Sequence, residues 1–324
     1  MTDGRAGGSR VRTVFLGSGH FGVEALRRLA GHPDVELVGV VTAQPKLAGR
    51  RQVETPTDVD IAAREIGVPT VLTPWRLRAP EAIASVLELG PSLAVLADYG
   101  QLVPPSLLGL PHGALNLHPS LLPRHRGATP IPAAILAGDA ETGVTLMRMD
   151  EGLDTGPMVD QRRVPLNGTE TAPDLEATLE RLAADLLGDD LGPWLRGEVV
   201  ARPQPVAGAT VTRRLTRQDG RLDPYRPAVE LERQVRAYQP WPGSFLEAPA
   251  GRLIVWASET MPSRLTDRPS TFVDDDGDGI AVATTDGRLR LLEVQPAAGR
   301  RMTGAAFRRG LSASWRDWFT GRPS

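Results

Sequence analysis

Apolar stretches alternate with amphipathic stretches along the first 150 residues of this 324-residue chain. The apolar runs predict strands at Val11–Leu16, Val35–Val41, Val68–Leu72, Leu93–Ala97, Ala114–Leu117 and Val144–Met149. Helical periodicity predicts helices between them, at Phe21–Ala30, Thr57–Ile66, Glu81–Glu88 and Pro130–Ala137. Because parallel strands need long crossover connections, this order predicts an α/β fold with a parallel sheet covered by helices on both faces.

The pattern changes after a further predicted helix at Asp174–Leu187. Residues 201–210 (ARPQPVAGAT) are rich in Pro and Gly and predict a linker. Beyond them, Arg252–Ala257 and Ile280–Thr284 alternate like strands, and Asp286-Gly287 predicts a hairpin turn. We therefore expect four parts: a disordered tail at 1–10, an α/β domain at 11–190, a linker at 191–210 and a small β domain at 211–324.

Composition excludes several classes of protein. The chain has no cysteine, so disulfides and thiolate metal ligands are excluded, and a reducing cytoplasm is a compatible location. The polar start MTDGRAGGSR lacks the apolar centre of a signal peptide, and no apolar run approaches the roughly 20 residues that span a bilayer. We expect a cytoplasmic protein without membrane contact.

The charges are distributed unevenly. The formal net charge is −2, yet residues 201–324 contain 19 Arg against 14 Asp and Glu, a net charge of +5. A basic C-terminal third is compatible with a polyanionic partner such as a nucleic acid. Compositional drift explains the same numbers, so charge alone leaves the partner open.

A glycine-rich stretch follows the first predicted strand. Gly17, Gly19 and Gly22 have the G-x-G-x-x-G spacing of a dinucleotide-binding turn. Such a site also needs an acidic residue at the end of the second strand to bind the ribose, and Thr42 stands there. Tight packing of a strand-to-helix turn explains the glycines without a nucleotide, and we expect no NAD.

An acidic stretch, DDDGDG at 274–279, resembles the start of a calcium loop. Asp274, Asp276, Asp278 and Gly279 fit that start, but Thr285 stands where the loop needs a bidentate Glu. No flanking helices are predicted. We interpret the stretch as a solvated turn between strands.

Three histidines also lack the arrangement of a metal site. His112, His118 and His125 are separated by six and seven residues, with Pro119 and Pro123 between them. That spacing fits no compact metal-ligand template. No metal is therefore expected.

Polar residues at the ends of two predicted strands indicate an active site. Side chains alternate along a strand, so Asn116 and His118 share one side of A-L-N-L-H, and Pro119 ends that strand at the edge where open α/β sheets bind ligands. Asp154 follows another strand in the loop MDEGLDTGPM. An amide to stabilise an oxyanion, an imidazole to move a proton and a carboxylate to orient it suit acyl-type transfer. A structural Asn–His pair and a turn-forming Asp are the alternatives.

Residues 116–130, NLHPSLLPRHRGATP, resemble the signature of the folate-dependent formyltransferases: N-x-H, then S-L-L-P, then R-G. GLDTG (152–156) resembles the loop that supplies the catalytic Asp of that family, and FLGS…FG and AGR (48–50) fit its N-terminal half. RLTRQDGRLD (214–223) and LERQVRAYQPWPGSFLE (231–247) resemble the C-terminal domain of the branch that acts on methionyl-tRNA. The resemblance extends from about Val11 to Trp318. It implies a Rossmann-like parallel-sheet formyltransferase domain followed by a small OB-like β-barrel domain.

The resemblance also implies a reaction: a formyl group moves from 10-formyltetrahydrofolate to the α-amino group of methionine on initiator tRNA, by direct attack of the amine. It assigns oxyanion stabilisation to Asn116 and His118, and the orientation of His118 to Asp154. The residues implied to contact the folate are Ser120, Leu121, Leu122 and Pro123. Those implied to contact the aminoacyl end of the tRNA are Phe15, Arg50 and Arg51.

The β domain would contact the tRNA backbone, which gives its positive charge a use. We expect a monomer. Two alternatives stay open. A formyltransferase acting on a sugar-nucleotide amine would share Asn116, His118 and Asp154, and in a folate-binding 10-formyltetrahydrofolate hydrolase water would replace the amine. One departure from the family pattern is Asp98, where a small or apolar residue is more usual.

Overall fold

The structure, a computed structural model, describes residues 10–48, 53–248, 251–274, 277–297, 299–311 and 315. The chain divides into two units, neither of which is a single continuous stretch. The first comprises Met1–Pro130, Glu141–Pro165 and Glu176–Thr212, and the second comprises Ile131–Ala140, Leu166–Leu175 and Arg213–Ser324. The predicted tail lies outside the described residues except for Arg10. The predicted division has one boundary, at the linker. It does not anticipate that residues 131–140 and 166–175 group with the C-terminal third.

The segments up to residue 212 contain eleven described strands and six α-helices. The strands are β1 (Val11–Gly17), β2 (Val35–Val41), β3 (Lys46–Ala48), β4 (Val53–Thr55), β5 (Val71–Leu72), β6 (Leu93–Ala97), β7 (Ala114–His118), β8 (Arg126–Gly127), β9 (Glu141–Arg148), β10 (Met158–Pro165) and β11 (Val211–Thr212). The helices are α1 (Val23–Ala30), α2 (Asp58–Ile66), α3 (Pro80–Glu88), α4 (Pro105–Leu108), α5 (Pro130–Ala137) and α6 (Ala172–Leu195).

Seven of these strands form one sheet, in the order β10-β9-β7-β6-β1-β2-β5. The five strands from β7 to β5 are mutually parallel, as predicted. β9 runs antiparallel to both of its neighbours, so the sheet is mixed at this edge. Hydrophobic periodicity identifies a strand but carries no information about its direction.

The centre of this sheet is buried on both faces, which explains why its strands read as continuous apolar runs. On one face, Val14 and Leu16 of β1 pack with Ala94 and Leu96 of β6 in a single apolar cluster. The parallel strands therefore end together at one edge, where the glycine-rich turn, Thr42, Asp98 and the segment after His118 all emerge.

The predicted linker is more ordered than its composition suggests. α6 continues to Leu195, so the first five positions of the predicted linker at 191–210 are helical. Further along, Arg202 and Met158 exchange two backbone hydrogen bonds of 2.8 Å, and β11 pairs in parallel with β8. The segment before residue 213 is thus hydrogen-bonded to the first unit.

The second unit contains an antiparallel sheet, which confirms the predicted β domain. Its strands are β12 (Ser244–Ala248), β13 (Gly251–Met261), β14 (Phe272–Asp274), β15 (Ile280–Ala283), β16 (Arg288–Pro296) and β17 (Met302–Thr303). They follow the order β12-β13-β16-β15-β14, with β17 beside β16. The predicted turn at Asp286-Gly287 joins β15 and β16, with Gly287 at φ +85.

Two helices, α7 (Ala228–Ala237) and α8 (Gly304–Arg309), accompany this sheet. Leu231 and Val235 of α7 and Phe307 of α8 lie in its apolar core. Across the described residues of both units, no helix is long and apolar enough to cross a membrane.

The segments that resemble the methionyl-tRNA branch have structural roles in this unit. Thr216 and Asp219 form a reciprocal capping box, and Arg213 pairs with the same carboxylate. The buried Gln234 donates to the Asp219 carbonyl at 3.2 Å and the Arg221 carbonyl at 3.1 Å. The two segments therefore pack against each other, which accounts for part of their sequence signature.

Candidate active site

The glycine-rich turn after β1 packs against the end of β6. A Cβ atom at Gly17 would lie 2.7 Å from the Ala97 carbonyl oxygen, and one at Gly22 would lie 2.9 Å from the same oxygen. A Cβ atom at Gly19 would overlap the carboxylate of Asp98. The close approach of two strand ends therefore accounts for all three glycines.

Thr42, at the position where a dinucleotide site carries an acid, uses its hydroxyl in protein contacts. Its Oγ1 lies 2.6 Å from Oγ1 of Thr57, the N-cap residue of α2. Ser18 Oγ accepts a hydrogen bond of 3.1 Å from the Ala43 amide. These contacts hold the turn, the end of β2 and the start of α2 together.

Asn116 and His118 lie two residues apart on β7 and so share one side of the sheet. Asn116 is in register with Leu96 of β6 and Met147 of β9. β7 ends at His118 because Pro119 has no N–H with which to continue the ladder. Both polar side chains are thus at the carboxyl edge, as their spacing predicts.

The Asn116 carboxamide has no hydrogen-bond partner among the residues that the structure describes. The residue is half-buried, so its amide is neither enclosed in the core nor freely hydrated. A carboxamide in this state offers two N–H donors to a ligand oxygen.

His118 is a nearly enclosed base, with 4% of its surface exposed. Its Nε2 lies 2.9 Å from the carbonyl oxygen of His125. Because a carbonyl only accepts, Nε2 carries the hydrogen and the neutral ring leaves the lone pair on Nδ1. Burial lowers the pKa of His118, and the charge of Asp154 partly opposes this shift. The imidazole is therefore neutral at neutral pH and able to accept a proton at Nδ1.

Asp154 approaches His118 from the loop between β9 and β10. Its Oδ2 lies 3.8 Å from His118 Nδ1 and accepts a hydrogen bond of 2.7 Å from the Gly127 amide. Asp154 has φ +51, a left-handed conformation that Asp and Asn adopt more readily than other non-glycine residues. Asp150 organises the same loop by accepting a bond of 2.8 Å from the Thr155 hydroxyl. The structure thus brings together the histidine and the carboxylate that the sequence places 36 residues apart.

Acidic side chains border the glycine-rich turn. Asp98 also has a left-handed backbone, at φ +50, directly after β6. The Asp98 residue is exposed, but protein atoms surround its carboxyl group and partly desolvate it. This desolvation raises the pKa of Asp98, and the charge of Asp58 raises it further. Burial and then Asp98 raise the pKa of Glu176. His20 lies 3.7 Å from Asp58 Oδ2 and 3.6 Å from Glu180 Oε2. The carboxyl groups of Asp58, Asp98, Glu176 and Glu180 thus interact electrostatically beside this turn, together with His20.

The residues implied to contact folate form a turn after β7. Ser120, Leu122 and Pro123 are buried, and Leu121 is half-buried. Ser120 Oγ donates to the Arg124 carbonyl at 2.7 Å, and the Leu122 amide donates to Thr145 Oγ1 at 3.1 Å. These polar groups are used within the protein. A folate contact at this turn stays a prediction.

Of the residues implied to contact the aminoacyl end of the tRNA, Phe15 is the one in the described part of the chain. Phe15 is fully buried, and its ring packs beneath Gly17 and Gly22. Its role in this structure is therefore to support the turn from the core side. Arg50 and Arg51 lie outside the described residues.

Sequence reasoning missed three groups that fix the His118–Asp154 pair. They are the His125 carbonyl, the Gly127 amide and the side chain of Gln204. The first two are backbone groups, which residue types do not encode, although Gly127 belongs to the quoted R-G motif. Gln204 donates to the carbonyls of Asp154 and Gly156 at 2.8 Å each, from a segment interpreted as a linker.

The described residues contain no group of three or more His, Cys, Asp or Glu side chains that could hold a metal ion. Of the acidic stretch at 274–279, residues 275 and 276 lie outside the described residues. Asp274 pairs with Arg308 at 2.5 Å, and Asp278 pairs with Arg309 at 3.0 Å.

Two family profiles cover most of the chain. Residues 11–189 match the family described as formyl transferase, and residues 214–312 match the formyl transferase C-terminal domain. A protein of Roseiflexus sp. (strain RS-1) named methionyl-tRNA formyltransferase is 44% identical over 305 residues, which are 94% of each chain. A protein of Halorhodospira halophila with the same name is 43% identical over 93% of this chain and 96% of its own length.

Solved structures show the same fold at low sequence identity. The N-formyltransferase of Helicobacter canadensis, in complex with folinic acid and dTDP-3-aminofucose, has a TM-score of 0.63 at 16% identity and covers 87% of this chain and 98% of its own. HypX of Aquifex aeolicus, in complex with tetrahydrofolic acid, has a TM-score of 0.60 at 16% identity, and the match covers 92% of this chain and 47% of the larger protein. The two matched profiles, the extent of the match to the sequence relatives and the Asn116, His118 and Asp154 arrangement agree: this chain belongs to the formyl transferase family.

Proposed function

We propose that this protein transfers a formyl group from 10-formyltetrahydrofolate to the α-amino group of methionine carried on initiator tRNA. The observation that carries the reaction type is the combination of a donor amide at Asn116, which has no partner in the described part of the chain, and a neutral buried base at His118 facing Asp154. The relatives named methionyl-tRNA formyltransferase support the acceptor, because they align over both units of this chain. The solved relatives with bound folates support the donor.

Asn116 would act on the oxygen of the formyl group. 10-Formyltetrahydrofolate supplies a formyl carbon that the amine attacks, and negative charge then develops on the formyl oxygen. The Asn116 amide, carried on β7 and without another acceptor among the described residues, donates to that oxygen. Because β7 is held between β6 and β9, the donor is oriented before the charge develops.

His118 would move the proton that the reaction releases. The amine nitrogen loses a proton when it bonds to the formyl carbon, and Nδ1 of His118 accepts it directly or through one water. The resulting imidazolium lies 3.8 Å from the Asp154 carboxylate, which stabilises its charge. His118 then returns the proton to the departing N10 nitrogen, so the products are tetrahydrofolate and formyl-methionyl-tRNA.

The positive C-terminal third supports a tRNA acceptor in this proposal. Residues 201–324 carry a net charge of +5, whereas the remainder carries −7. A tRNA backbone is attracted to the basic part, and this attraction weakens as salt rises. Action in the cytoplasm as a monomer forms part of the same proposal.

One acceptor comparison tests the function. Purified protein is incubated with radiolabelled 10-formyltetrahydrofolate and one of four acceptors: charged initiator methionyl-tRNA, the same tRNA uncharged, a sugar-nucleotide amine, or buffer alone. We expect label only on the charged tRNA. Label on the amino sugar, or formate release in buffer at the same rate, would instead establish one of the two alternative activities.

A further inference from the structure

Gln204 uses every hydrogen-bonding position of its side chain within the active-site region. Its Oε1 accepts from Arg126 Nε at 3.0 Å and from Arg126 Nη2 at 2.7 Å. Its Nε2 donates to the carbonyl oxygens of Asp154 and Gly156, both at 2.8 Å. A half-buried carboxamide with four partners is fixed in one orientation.

The groups that Gln204 binds are those that place the Asp154 carboxylate. Asp154 has an unfavourable left-handed backbone, which persists only where neighbouring contacts hold it. Gln204 holds the carbonyl of Asp154 itself and that of Gly156 two residues later. Arg126 immediately precedes Gly127, whose amide donates to Asp154 Oδ2 at 2.7 Å. One side chain therefore connects the two segments that meet at the carboxylate.

The same stretch of chain also supports the segment beside His118. The His125 amide donates to Thr210 Oγ1 at 2.8 Å, and the Arg126 amide donates to the Thr210 carbonyl at 2.9 Å. The His125 carbonyl is in turn the partner of His118 Nε2. Residues 202–212 thus contact the supports of both members of the His118–Asp154 pair.

We propose that Gln204 is a positioning residue for catalysis: its carboxamide sets the distance between the Asp154 carboxylate and His118 Nδ1. The segment that leads to the C-terminal third is therefore part of the catalytic framework. The effect on turnover rests on the proposed function, but the effect on His118 is measured without any substrate.

Two substitutions separate the acceptor and donor roles of the side chain. Gln204→Ala removes both. Gln204→Glu keeps an acceptor for Arg126, loses both N–H donors and places negative charge against two carbonyl oxygens. Val206→Ala is the matched control, because Val206 lies in the same stretch and is 96% exposed. Thermal melting shows whether each variant is folded.

The first measurement is the pKa of His118 by NMR titration of the histidine rings, of which the chain has five. Asp154 opposes the lowering of this pKa by burial, and the nearby His125 is the other titrating group that faces the ring. If Asp154 moves away, the pKa of His118 falls further in Gln204→Ala and stays unchanged in the Val206→Ala control. An unchanged pKa in a folded Gln204→Ala protein would overturn the proposal, even if wild-type formyl transfer were absent.

The second measurement is formyl transfer at saturating substrates. Displacement of a catalytic group by about 1 Å lowers turnover by as much as about 10²-fold, so we expect kcat to fall roughly 10- to 100-fold. The KM for the folate is expected to stay within about 3-fold, since the ligand contacts are not altered. A loss of thermal stability with normal kcat and a normal His118 pKa would show a structural role only and would also overturn the proposal.

Discussion

Replacement of Asp154 by Asn tests the electrostatic part of the proposed mechanism while preserving the loop. Asn tolerates the left-handed backbone at φ +51, and its side-chain oxygen can still accept the hydrogen bond from the Gly127 amide. The substitution therefore removes a negative charge 3.8 Å from His118 Nδ1 with little change in shape.

The expected magnitude follows from that distance. Two unit charges 3.8 Å apart interact by about 4 kcal/mol at an effective dielectric constant of about 20. This energy stabilises the imidazolium that forms when His118 accepts the amine proton. Its complete loss corresponds to a decrease of about 10³-fold in kcat, and partial compensation by solvent gives a lower limit of about 10²-fold.

The pH dependence provides a second readout of the same substitution. Burial lowers the pKa of His118 and Asp154 opposes that shift, so Asp154→Asn lowers this pKa further. The acid limb of the kcat/KM profile therefore moves to lower pH, while the plateau falls. The assay measures formyl transfer to methionyl-tRNA from pH 5 to 9 with both substrates varied.

Asp150→Asn is the matched control for this experiment. Asp150 is an exposed residue of the same loop. Its Oδ1 accepts hydrogen bonds from the Gly152 amide and the Thr155 hydroxyl, and an Asn side chain can retain both contacts. We expect its kcat to stay within about 3-fold of wild type. If Asp154→Asn behaved like this control in both kcat and pH profile, the electrostatic role assigned to Asp154 would be refuted.

Three further predictions concern groups around the same site. Asn116→Ala is expected to lower kcat by about 10²- to 10³-fold, as removal of an oxyanion donor does. The melting temperature is expected to stay unchanged, because the amide has no described protein partner. Equal losses in kcat and stability would contradict this prediction. Asp98→Asn is expected to raise the melting temperature at neutral pH. The pKa of Asp98 is raised in the folded protein, so its ionised carboxylate destabilises the fold at any pH above the ordinary Asp pKa, and the gain should vanish near pH 3. A gain that is independent of pH would rule out charge as the cause. Raising KCl from 50 to 200 mM is expected to increase the KM for the tRNA far more than the KM for the folate, and parallel increases would argue against a backbone contact.

Strand alternation and proline chemistry determined where the candidate site lies. The spacing of Asn116 and His118 put both on one side of β7, and Pro119 follows the last residue of that strand at the carboxyl edge of the sheet. The glycine spacing at 17–22 was also explicable from sequence, because Thr42 argued for packing rather than a dinucleotide. Local chain chemistry of this kind needs no long-range information.

Strand direction and domain membership were beyond the reach of the sequence. The antiparallel course of β9 and the grouping of residues 131–140 and 166–175 with the second unit depend on contacts between distant segments. The burial of Phe15, for which the resemblance implies a contact with the aminoacyl end of the tRNA, likewise depends on distant segments of the chain. A local pattern records which side chains are apolar, not which surface will cover them.

The sequence by itself supplied the groups proposed for catalysis: an amide, an imidazole and a carboxylate in two motifs 36 residues apart. Only the tertiary structure decided how these groups are held. The His125 carbonyl selects the tautomer of His118, the Gly127 amide orients Asp154, and Gln204 holds that loop from a stretch whose Pro- and Gly-rich composition indicates a linker. These supports are backbone groups and one distant carboxamide, and their effect arises from position in the folded chain rather than from residue type.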